Sequence, residues 1–291
     1  MKLLIITQKY DIADSVLGAF IDWWDKMAEK NEKVYVLALE KRSEPTLPNM
    51  KVLGMGKESG AGFLGKIFGF YYGLFKTIGR VDAILVHMIP KYAILAAPFA
   101  FLFRKPIYLW YTGVSANRDL RLAVRFCRKV FTAHEAAMRV DTPKRVVVGH
   151  GINTERFKPQ EGKFKLGNEI AILSVGRITP SKGHGLIIEA AADLINQGHN
   201  LRLEIIGGVI QPRHEIYQKR LKKIAIELGI AHRVEFLGAT PYAEMPHHYG
   251  HAQILINAVP YGGLDKVVLE AMAWHVVPLT SNTAFINVLP Q

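Results

Sequence analysis

Short apolar runs alternate along the chain with longer stretches in which apolar residues recur at helical spacing. Six runs in the first half are typical of buried strands: Leu3–Thr7, Val34–Leu39, Ala83–His87, Ile107–Tyr111, Lys129–Thr132 and Val146–Val148. Four intervening stretches are compatible with helices: Val16–Lys30, Lys66–Ile78, Ala93–Phe103 and Asp119–Phe126. This alternation predicts the β-α-β rhythm of a parallel sheet that is covered on both faces.

A second series of the same kind follows a polar segment, Thr154–Asn168. Its predicted strands are Ile170–Val175, Arg202–Ile206, Val234–Leu237, Ile254–Asn257 and Val276–Thr280. Its predicted helices are Gly183–Gln197, Ile216–Leu228, Tyr242–Tyr249 and Lys266–Ala273. We therefore predict an α/β fold of two tandem Rossmann-like domains, residues 1–158 and 159–291, with a ligand cleft between them at the carboxyl ends of both sheets.

The second domain looks incomplete in the sequence. Thr283–Val288 could begin another helix after the final predicted strand, but no closing strand follows it. Two interpretations remain open: the chain is truncated, or this domain has five strands.

Length, composition and cysteine content narrow the class of protein. The 291 residues are 49% hydrophobic and 21% charged, which is ordinary for a soluble protein of two domains. Cys127 is the single cysteine, which excludes an internal disulfide and a cysteine-based zinc site and fits a reducing compartment. The chain starts directly with a strand pattern instead of a signal peptide, so a cytoplasmic location is expected.

Positive charge is concentrated in the first half. Residues 1–158 hold 25 Lys and Arg against 14 Asp and Glu, whereas residues 159–291 hold 12 against 11. A basic surface attracts nucleic acid, anionic lipid or a phosphorylated substrate. No nucleic-acid-binding motif is present, so a nucleic acid is not expected as a partner.

The apolar segment 60–80 raises the question of a membrane. Lys66 and Lys76 interrupt it, and Tyr92–Phe103 is too short to cross a bilayer, which takes roughly 20 apolar residues. The segment 60–80 is either a helix that packs on the core with a solvated basic edge, or a helix in the plane of an anionic membrane surface. The basic first half favours peripheral contact with the inner face of the membrane.

Two motifs of the second half carry the candidate chemistry. In the first, Arg177 and Lys182 follow a predicted central strand, where a guanidinium and an ammonium group can neutralise a diphosphate. In the second, Gly262 and Gly263 allow close approach of the backbone, and the amides of Leu264, Asp265 and Lys266 begin a helix that can donate to phosphate or sugar oxygens.

Glu270 lies farther along this second helix. It is flanked by Val267, Val268 and Leu269 on one side and by Ala271 and Met272 on the other. An unpaired carboxylate is costly in such an apolar context. We therefore expect Glu270 to accept hydrogen bonds from a ligand, such as those of a ribose diol.

These motifs resemble glycosyltransferase family 4. The pattern Val-Gly-Arg at 175–177 with Pro-x-Lys-Gly at 180–183 is similar to an element of that family, and Glu270 matches the second of its two signature glutamates. Weaker similarity covers residues 149–159 and 234–242, the latter placing the backbone of Thr240 and Tyr242 beside a nucleotide base.

The resemblance implies a GT-B fold and a retaining transfer of a sugar from a UDP, GDP or similar donor to a sugar, lipid-linked or other hydroxyl. It implies that Arg177 and Lys182 bind the diphosphate and that Glu270 holds the ribose. Relatives in this family stabilise the departing diphosphate with Arg, Lys and a helix N-terminus, so no metal cofactor is expected.

Three positions depart from the pattern of the family. Gly262 stands in place of the first signature glutamate, Gly113 in place of a histidine near the transferred sugar, and His275 in place of a helix-ending glycine. The residues that would bind the nucleotide are present, whereas the side chains expected near the sugar are absent. An alternative function is therefore a non-catalytic protein that binds a nucleotide-sugar or a glycan, and a sugar-nucleotide epimerase is a third, less favoured one.

Other polar clusters have ordinary explanations. Asp11 and Asp14 could anchor an acceptor, but capping of the following helix is favoured. His247, His248 and His251 lack a companion acid or cysteine at zinc-site spacing and indicate a solvated helix face. The chain contains no P-loop and no nucleophile elbow. The sequence therefore gives no support for P-loop phosphoryl transfer or for α/β-hydrolase chemistry.

Overall fold

The computed structural model describes residues 1–159, 168–286, 288 and 289. It separates into two compact units, Met1–His150 and Gly151–Gln291. The sequence placed the corresponding boundary at residues 158 and 159. Most of the predicted polar linker, residues 160–167, lies outside the described residues.

The first unit is built on a seven-stranded parallel sheet with the order β3-β2-β1-β4-β5-β6-β7. Its strands are β1 (Lys2–Tyr10), β2 (Lys33–Lys41), β3 (Met50–Gly54), β4 (Ala83–His87), β5 (Ile107–Trp110), β6 (Cys127–Thr132) and β7 (Arg145–Val147). Its helices are α1 (Ile21–Glu29), α2 (Phe63–Ile78), α3 (Pro90–Leu102) and α4 (Arg118–Phe126).

The alternation of side chains in β1 divides the core of this unit in two. Leu4 and Ile6 face a cluster formed with α2, α3 and α4, whereas Leu3 and Ile5 face a second cluster that contains Trp24 of α1. Successive side chains of a strand point to opposite faces of the sheet. Because β1 is central and covered on both faces, the four consecutive positions Leu3–Ile6 in it are all apolar.

The second unit has a five-stranded parallel sheet with the order β10-β9-β8-β11-β12. Its strands are β8 (Ile170–Val175), β9 (Leu201–Ile206), β10 (Val234–Gly238), β11 (Ile254–Asn257) and β12 (Val277–Thr280). Its helices are α5 (His184–Asn196), α6 (Pro212–Glu227), α7 (Met245–Tyr249) and α8 (Lys266–Ala273). The predicted α/β fold with two parallel sheets is confirmed.

The structure corrects four predicted elements. The sequence analysis missed β3, which pairs with β2 from Val34 opposite Met50 to Ala38 opposite Gly54. The helix expected from Val16 begins at Ile21, because the Asp14 carboxylate accepts from the amides of Val16 and Leu17 and holds a turn there.

The other two corrections concern short helices of the second unit. The helix expected over Tyr242–Tyr249 is a 3₁₀ turn, Tyr242–Glu244, followed by the short α7. Of the helix that Thr283–Val288 could begin, the described residues form one 3₁₀ turn, Thr283–Phe285. Residue 287 lies outside the described residues.

No helix within the described ranges is long and apolar enough to cross a membrane. Cys127, at the start of β6, is a free and buried cysteine.

Candidate functional site

Arg177 lies just beyond the carboxyl end of β8, the central strand of the second sheet. The loop that carries it is fixed to the neighbouring strand: the Gly176 amide donates to the Ile206 carbonyl at 2.8 Å, and the Ile178 amide to the Gly208 carbonyl at 3.1 Å. Arg177 is exposed, and its guanidinium makes no hydrogen bond or ion pair to any residue that the structure describes. A cation held in this way is available to a ligand.

Gly207 allows this loop to lie close to the end of β9. A Cβ atom built on Gly207 would stand 1.8 Å from the Gly176 carbonyl oxygen, which is far inside any real contact. Only glycine fits there without moving the loop. The position of Arg177 therefore depends on the residue that follows β9, the next strand of the sheet.

His184, the first residue of α5, also holds the loop that carries Arg177. Its Nδ1 lies 3.1 Å from the Ser174 hydroxyl, and its Nε2 lies 3.3 Å from the carbonyl oxygens of both Gly176 and Arg177. The residue is fully buried, and burial is the main reason that its pKa is lowered. A neutral ring that donates from Nε2 to the two carbonyls and accepts from Ser174 at Nδ1 satisfies this geometry.

Lys182 joins the first motif to the second. Its ammonium group lies 3.2 Å from one carboxylate oxygen of Asp265, and both side chains are mostly buried. The other oxygen of Asp265 accepts from the Asn257 amide group at 3.2 Å. Asp265 was predicted to contribute a backbone amide. Its side chain in addition connects the loop after β8 to the end of β11.

The Gly-rich turn is held from the other side by Asn282, which follows β12. The Asn282 side-chain amide donates to the Gly263 carbonyl at 2.9 Å, and the Asn282 backbone amide donates to the Thr280 hydroxyl at 3.1 Å. Thr280 in turn donates to the Asn257 side-chain oxygen at 3.0 Å. The turn at 261–265 is thus tied to the carboxyl ends of β11 and β12.

The helix α8 begins directly after this turn, at Lys266. Asp265 is its N-cap, but the Asp265 side chain makes no capping hydrogen bond to the helix within the described residues. The first amides of a helix have no partner inside it, and the helix dipole makes its N-terminus favourable for an anion. The predicted donor amides of Leu264, Asp265 and Lys266 lie at this helix start.

Glu270 lies on the next turn of α8 and is 2% exposed. One carboxylate oxygen accepts from the Tyr242 hydroxyl at 3.0 Å, and the other accepts from the Tyr249 hydroxyl at 2.9 Å. Burial, together with the nearby charge of Glu270, raises the pKa of Tyr249 well above its ordinary value. Hydrogen bonds from two phenol groups stabilise a buried carboxylate in its charged form.

Tyr242 therefore has a structural partner that the sequence did not indicate. Its ring lies 5.4 Å from that of Phe157, and the ammonium of Lys266 stands 5.1 Å from its centroid. Thr240, the second residue expected beside a base, is also buried.

The three departures noted in the sequence have different surroundings. A Cβ atom on Gly262 would meet no atom within 4 Å, so space is open where relatives carry a glutamate. A Cβ atom on Gly113 would stand 2.6 Å from the Tyr111 hydroxyl, so the Tyr111 ring takes part of that space. His275 adopts a left-handed conformation with φ 59°, the conformation that favours the glycine expected there.

A cavity of about 770 Å³ opens in the second unit next to the ends of β11 and β12. Its polar lining includes Asn257, Thr280 and Asn282, and its apolar lining includes Leu186 and Ile286. Arg177, Lys182 and Glu270 are not among its lining residues. The cavity therefore lies beside the predicted donor residues and does not contain them.

Asp14 of the first unit does not cap the following helix, as was favoured, because the N-cap of α1 is Phe20 and none of the described side chains makes a capping hydrogen bond there. Asp14 instead holds the turn before that helix. Its carboxylate accepts from the Leu17 amide at 2.7 Å and lies 2.7 Å from the ammonium of Lys9, which also pairs with Asp11 at 3.0 Å. Burial opposes ionisation of Asp14, but the hydrogen bonds from Leu17, Lys9 and Val16 outweigh it and lower the pKa of the carboxyl.

His247, His248 and His251 lie on or beside α7, and the rings of His247 and His251 are 4.5 Å apart. Burial and the neighbouring His247 lower the pKa of His248. Across the described residues, no group of three or more His, Cys, Asp or Glu side chains is arranged to hold a metal ion.

Four site residues were missed from the sequence: His184, Asn257, Asn282 and Tyr249. Asn257 ends β11, and Asn282 follows β12. Polar residues at the carboxyl ends of adjacent parallel strands meet at one edge of the sheet, and this signal could have identified both asparagines. His184 and Tyr249 offered no comparable signal, because their partners are distant in the sequence or belong to the backbone.

A model of the family "Glycosyl transferases group 1" matches residues 154–288. This segment, 135 of the 291 residues, contains Arg177, Lys182, the Gly-rich turn and Glu270. The family match and the hydrogen-bonded cluster therefore fall in the same unit.

Two curated relatives each match less than half of the chain. One is the GDP-mannose-dependent alpha-(1-6)-phosphatidylinositol monomannoside mannosyltransferase of Mycolicibacterium smegmatis, 30% identical over 139 residues, which are 42% of this chain and 34% of the relative. The other is a D-inositol 3-phosphate glycosyltransferase of Geodermatophilus obscurus, 31% identical over 162 residues, 49% of this chain and 35% of the relative. The aligned region spans about a third of the length of each relative.

The fold is shared with solved structures, among them glycosyltransferases. The crystal structure of Anabaena Alr3699/HepE in complex with UDP matches with a TM-score of 0.77 at 17% identity, covering 100% of this chain and 84% of that one. At this level of identity the likeness establishes the fold. The predicted GT-B class, with two Rossmann-like domains, is confirmed.

Proposed function

We propose that the chain is a retaining glycosyltransferase of family 4, which transfers a sugar from a nucleoside diphosphate to an acceptor hydroxyl. The observation that carries this proposal is the contact between Lys182 and Asp265 at 3.2 Å. It brings the cationic loop after β8 against the Gly-rich turn and the start of α8, two features that each suit a diphosphate. The family match to residues 154–288 supports the same reading.

Each residue has a distinct role in this proposal. Arg177 and Lys182 neutralise the two phosphates, and the first amides of α8 donate to phosphate or sugar oxygens. Glu270, held in its charged form by Tyr242 and Tyr249, accepts from the ribose. Gly262 and Gly263 let the donor approach the backbone, and the backbone near Thr240 and Tyr242 lies beside the base.

The reaction breaks the bond between the anomeric carbon and a phosphate oxygen and forms a bond from that carbon to the acceptor oxygen. The leaving diphosphate gains negative charge as the bond breaks. Arg177, Lys182 and the positive end of the α8 dipole stabilise that charge, so we propose transfer without a metal ion. In a retaining transfer on one face of the sugar, the departing phosphate oxygen takes the proton of the acceptor hydroxyl.

Calorimetric titration with UDP and GDP tests donor binding, since a curated relative is named for GDP-mannose and a solved neighbour holds UDP. We expect Arg177→Ala with Lys182→Ala to weaken nucleoside diphosphate binding by at least about a hundredfold, because each lost charge-assisted contact is worth about 1.5–3 kcal/mol. Replacing Arg213 and Lys219, two exposed cations of α6, by alanine is the matched control. Binding that is equal in both double variants contradicts the proposal.

The second candidate is a non-catalytic binder of the same donor. The open space beside Gly262 favours it, because no side chain is present there to contact the sugar. An assay that follows release of nucleoside diphosphate from UDP- and GDP-sugars separates the two functions. Release that depends on an acceptor supports the transferase, whereas tight binding without release supports the binder.

A further inference from the structure

The helices α2 and α3 of the first unit present a continuous apolar surface to solvent, which we call the α2–α3 face. Its exposed side chains are Phe63, Leu64, Phe68, Tyr72, Phe75, Phe101 and Leu102. Leu64 is 78% exposed and Phe101 is 89% exposed. Single exposed apolar residues are ordinary, but a contiguous patch of this kind marks an interaction surface.

The exposed residues of this face are additional to the apolar residues that the inner side of α2 contributes to the core. Phe70, Leu74 and Ile78 of α2 are buried against the sheet, so the aromatic residues on its outer side are not needed for packing. Phe75 of α2 contacts Phe99 of α3 with ring centroids 4.7 Å apart, which joins the outer sides of the two helices. The exposed apolar side chains of α2 and α3 therefore lie on neighbouring helices that contact each other.

A cationic pocket of about 560 Å³ adjoins the end of this face. Four of its lining residues are basic, namely Arg104, Lys105, Arg125 and Arg128, and none is acidic. Phe101 and Phe126, both exposed, line it as well. Among the described residues, none forms an ion pair with any of these four cations. Their charges are therefore available to an anion.

Acidic residues are also scarce in the surrounding sequence. Residues 60–80 contain no Asp or Glu, and residues 83–134 contain one, Asp119, whose carboxylate lies 3.6 Å from the ammonium of Lys91. The charged residues of the segment 60–80 are Lys66, Lys76 and Arg80, and Asp82 follows it. An apolar centre that is bordered mainly by cations complements an anionic surface with an apolar interior.

We propose that the α2–α3 face docks on a bilayer of anionic phospholipids. The exposed aromatic side chains enter the interface between headgroups and acyl chains, and the cationic pocket receives lipid phosphate groups. Arginine is suited to this task because its guanidinium binds phosphate through two parallel hydrogen bonds. The proposal concerns the first unit alone and does not depend on the donor site of the second.

Flotation with vesicles of phosphatidylcholine alone, and of phosphatidylcholine with phosphatidylglycerol, tests the docking on the full chain. We expect binding to the anionic vesicles, release as salt is raised, and at least about tenfold weaker binding to the neutral ones, since each basic residue near an anionic surface contributes separately. Equal binding to both compositions overturns the proposal.

Two sets of variants locate the surface. Phe101→Ser with Leu102→Ser removes apolar contacts, and Arg104→Ala with Arg125→Ala and Arg128→Ala removes cations of the pocket. Each set is expected to weaken binding to anionic vesicles by about tenfold or more. All five side chains are exposed, so the thermal midpoint should stay near that of the unchanged protein, and melting curves verify this.

Matched controls come from α6 of the second unit. Ile216→Ser with Ile226→Ser removes two side chains that are 71% and 66% exposed, and Arg213→Ala with Lys219→Ala and Arg220→Ala removes three exposed cations. These controls should bind anionic vesicles as the unchanged protein does. Loss of binding in the controls equal to that in the test variants overturns the proposal. Tighter binding to single-stranded DNA than to the vesicles also overturns the proposal, because the surface then binds a different polyanion.

Discussion

Lys182 and Asp265 are 83 residues apart in the sequence, and their side chains form an ion pair of 3.2 Å. Lys182 follows β8, and Asp265 precedes α8. The pair therefore places a carboxylate beside a cation that we assign to a diphosphate. A ligand with negative charge must share Lys182 with Asp265 or displace it.

Asp265→Asn is expected to tighten the binding of UDP or GDP by about threefold to tenfold, because it removes a negative charge next to the phosphates. An asparagine oxygen can still accept from Asn257, so the turn should keep its position. Calorimetry measures the change, and Glu227→Gln, which alters an exposed ion pair with Lys223 on α6, is the control. Weaker binding of Asp265→Asn would show that the carboxylate is needed to orient Lys182.

Glu270 gives a prediction about the ribose. The unchanged protein should bind UDP about tenfold more tightly than 2′-deoxy-UDP, because a hydroxyl that donates to a carboxylate contributes about 1.5–3 kcal/mol. Glu270→Gln should lose most of this preference. Tyr249→Phe removes a hydrogen bond to Glu270 and should lower stability while the preference for ribose remains. A preference that is unchanged in Glu270→Gln assigns the residue to the structure alone.

His184 predicts a dependence of stability on pH. Burial lowers its pKa below the ordinary 6.5, so the unfolded chain takes up a proton at a higher pH than the folded one. The contribution of His184 to the free energy of unfolding is therefore complete above about pH 6.5. It declines as the pH falls toward the lowered pKa of the folded state. Urea unfolding across this window should show a flatter pH profile for His184→Gln than for the unchanged protein.

His184→Gln should also be less stable near neutral pH by about 1–3 kcal/mol. The reason is that it disrupts the buried hydrogen bonds of the His184 ring to Ser174 and to two carbonyls. A parallel pH profile with no loss of stability would contradict the assignment of a neutral, hydrogen-bonded ring.

Gly207 and Gly185 should respond in opposite ways to alanine. At Gly207 a methyl group would overlap the Gly176 carbonyl oxygen, and we expect a loss of about 3 kcal/mol or more in the free energy of unfolding, with weaker nucleotide binding. Gly185 lies in α5, and its nearest neighbour would be an ordinary contact at 3.7 Å. Gly185→Ala should therefore stabilise by about 0.5–1 kcal/mol. Thermal and urea unfolding of both variants provide the test.

Cys127 should be unreactive in the folded protein. It is 1% exposed, and burial raises the pKa of its thiol to about 12, so the thiolate is scarce at about pH 8. A chromogenic disulfide reagent should react completely in concentrated urea and slowly, at the rate of unfolding, in buffer. Rapid reaction in buffer would show that the start of β6 opens locally.

The sequence predicted most elements because both units repeat one simple pattern. The bounds of β4, β8, β11 and α8 match the predicted ranges, since apolar residues dominate each of these elements. The strand β3 was missed because Met50–Gly54 holds only a few apolar residues, and pairing with β2 decides its conformation.

The candidate site, like the fold, was predicted only in part. Arg177, Lys182, the Gly-rich turn and Glu270 were identified from local motifs. Their side-chain contacts were not, because Asp265, Asn257 and Asn282 meet Lys182 and Gly263 only once β8, β11 and β12 stand side by side. Such contacts depend on the register of the sheet, which no single motif contains.

The hydrogen bonds that tie the turn at 261–265 to Asn257 and Asn282 also have a kinetic consequence. Ordering a side chain or loop on association costs about 0.5–1.5 kcal/mol for each group that is immobilised. Here that loss of entropy occurs during folding, before any donor arrives. Association should therefore be a single fast step without a slow phase of loop closure, and differences in affinity between donors should reside in their dissociation rates.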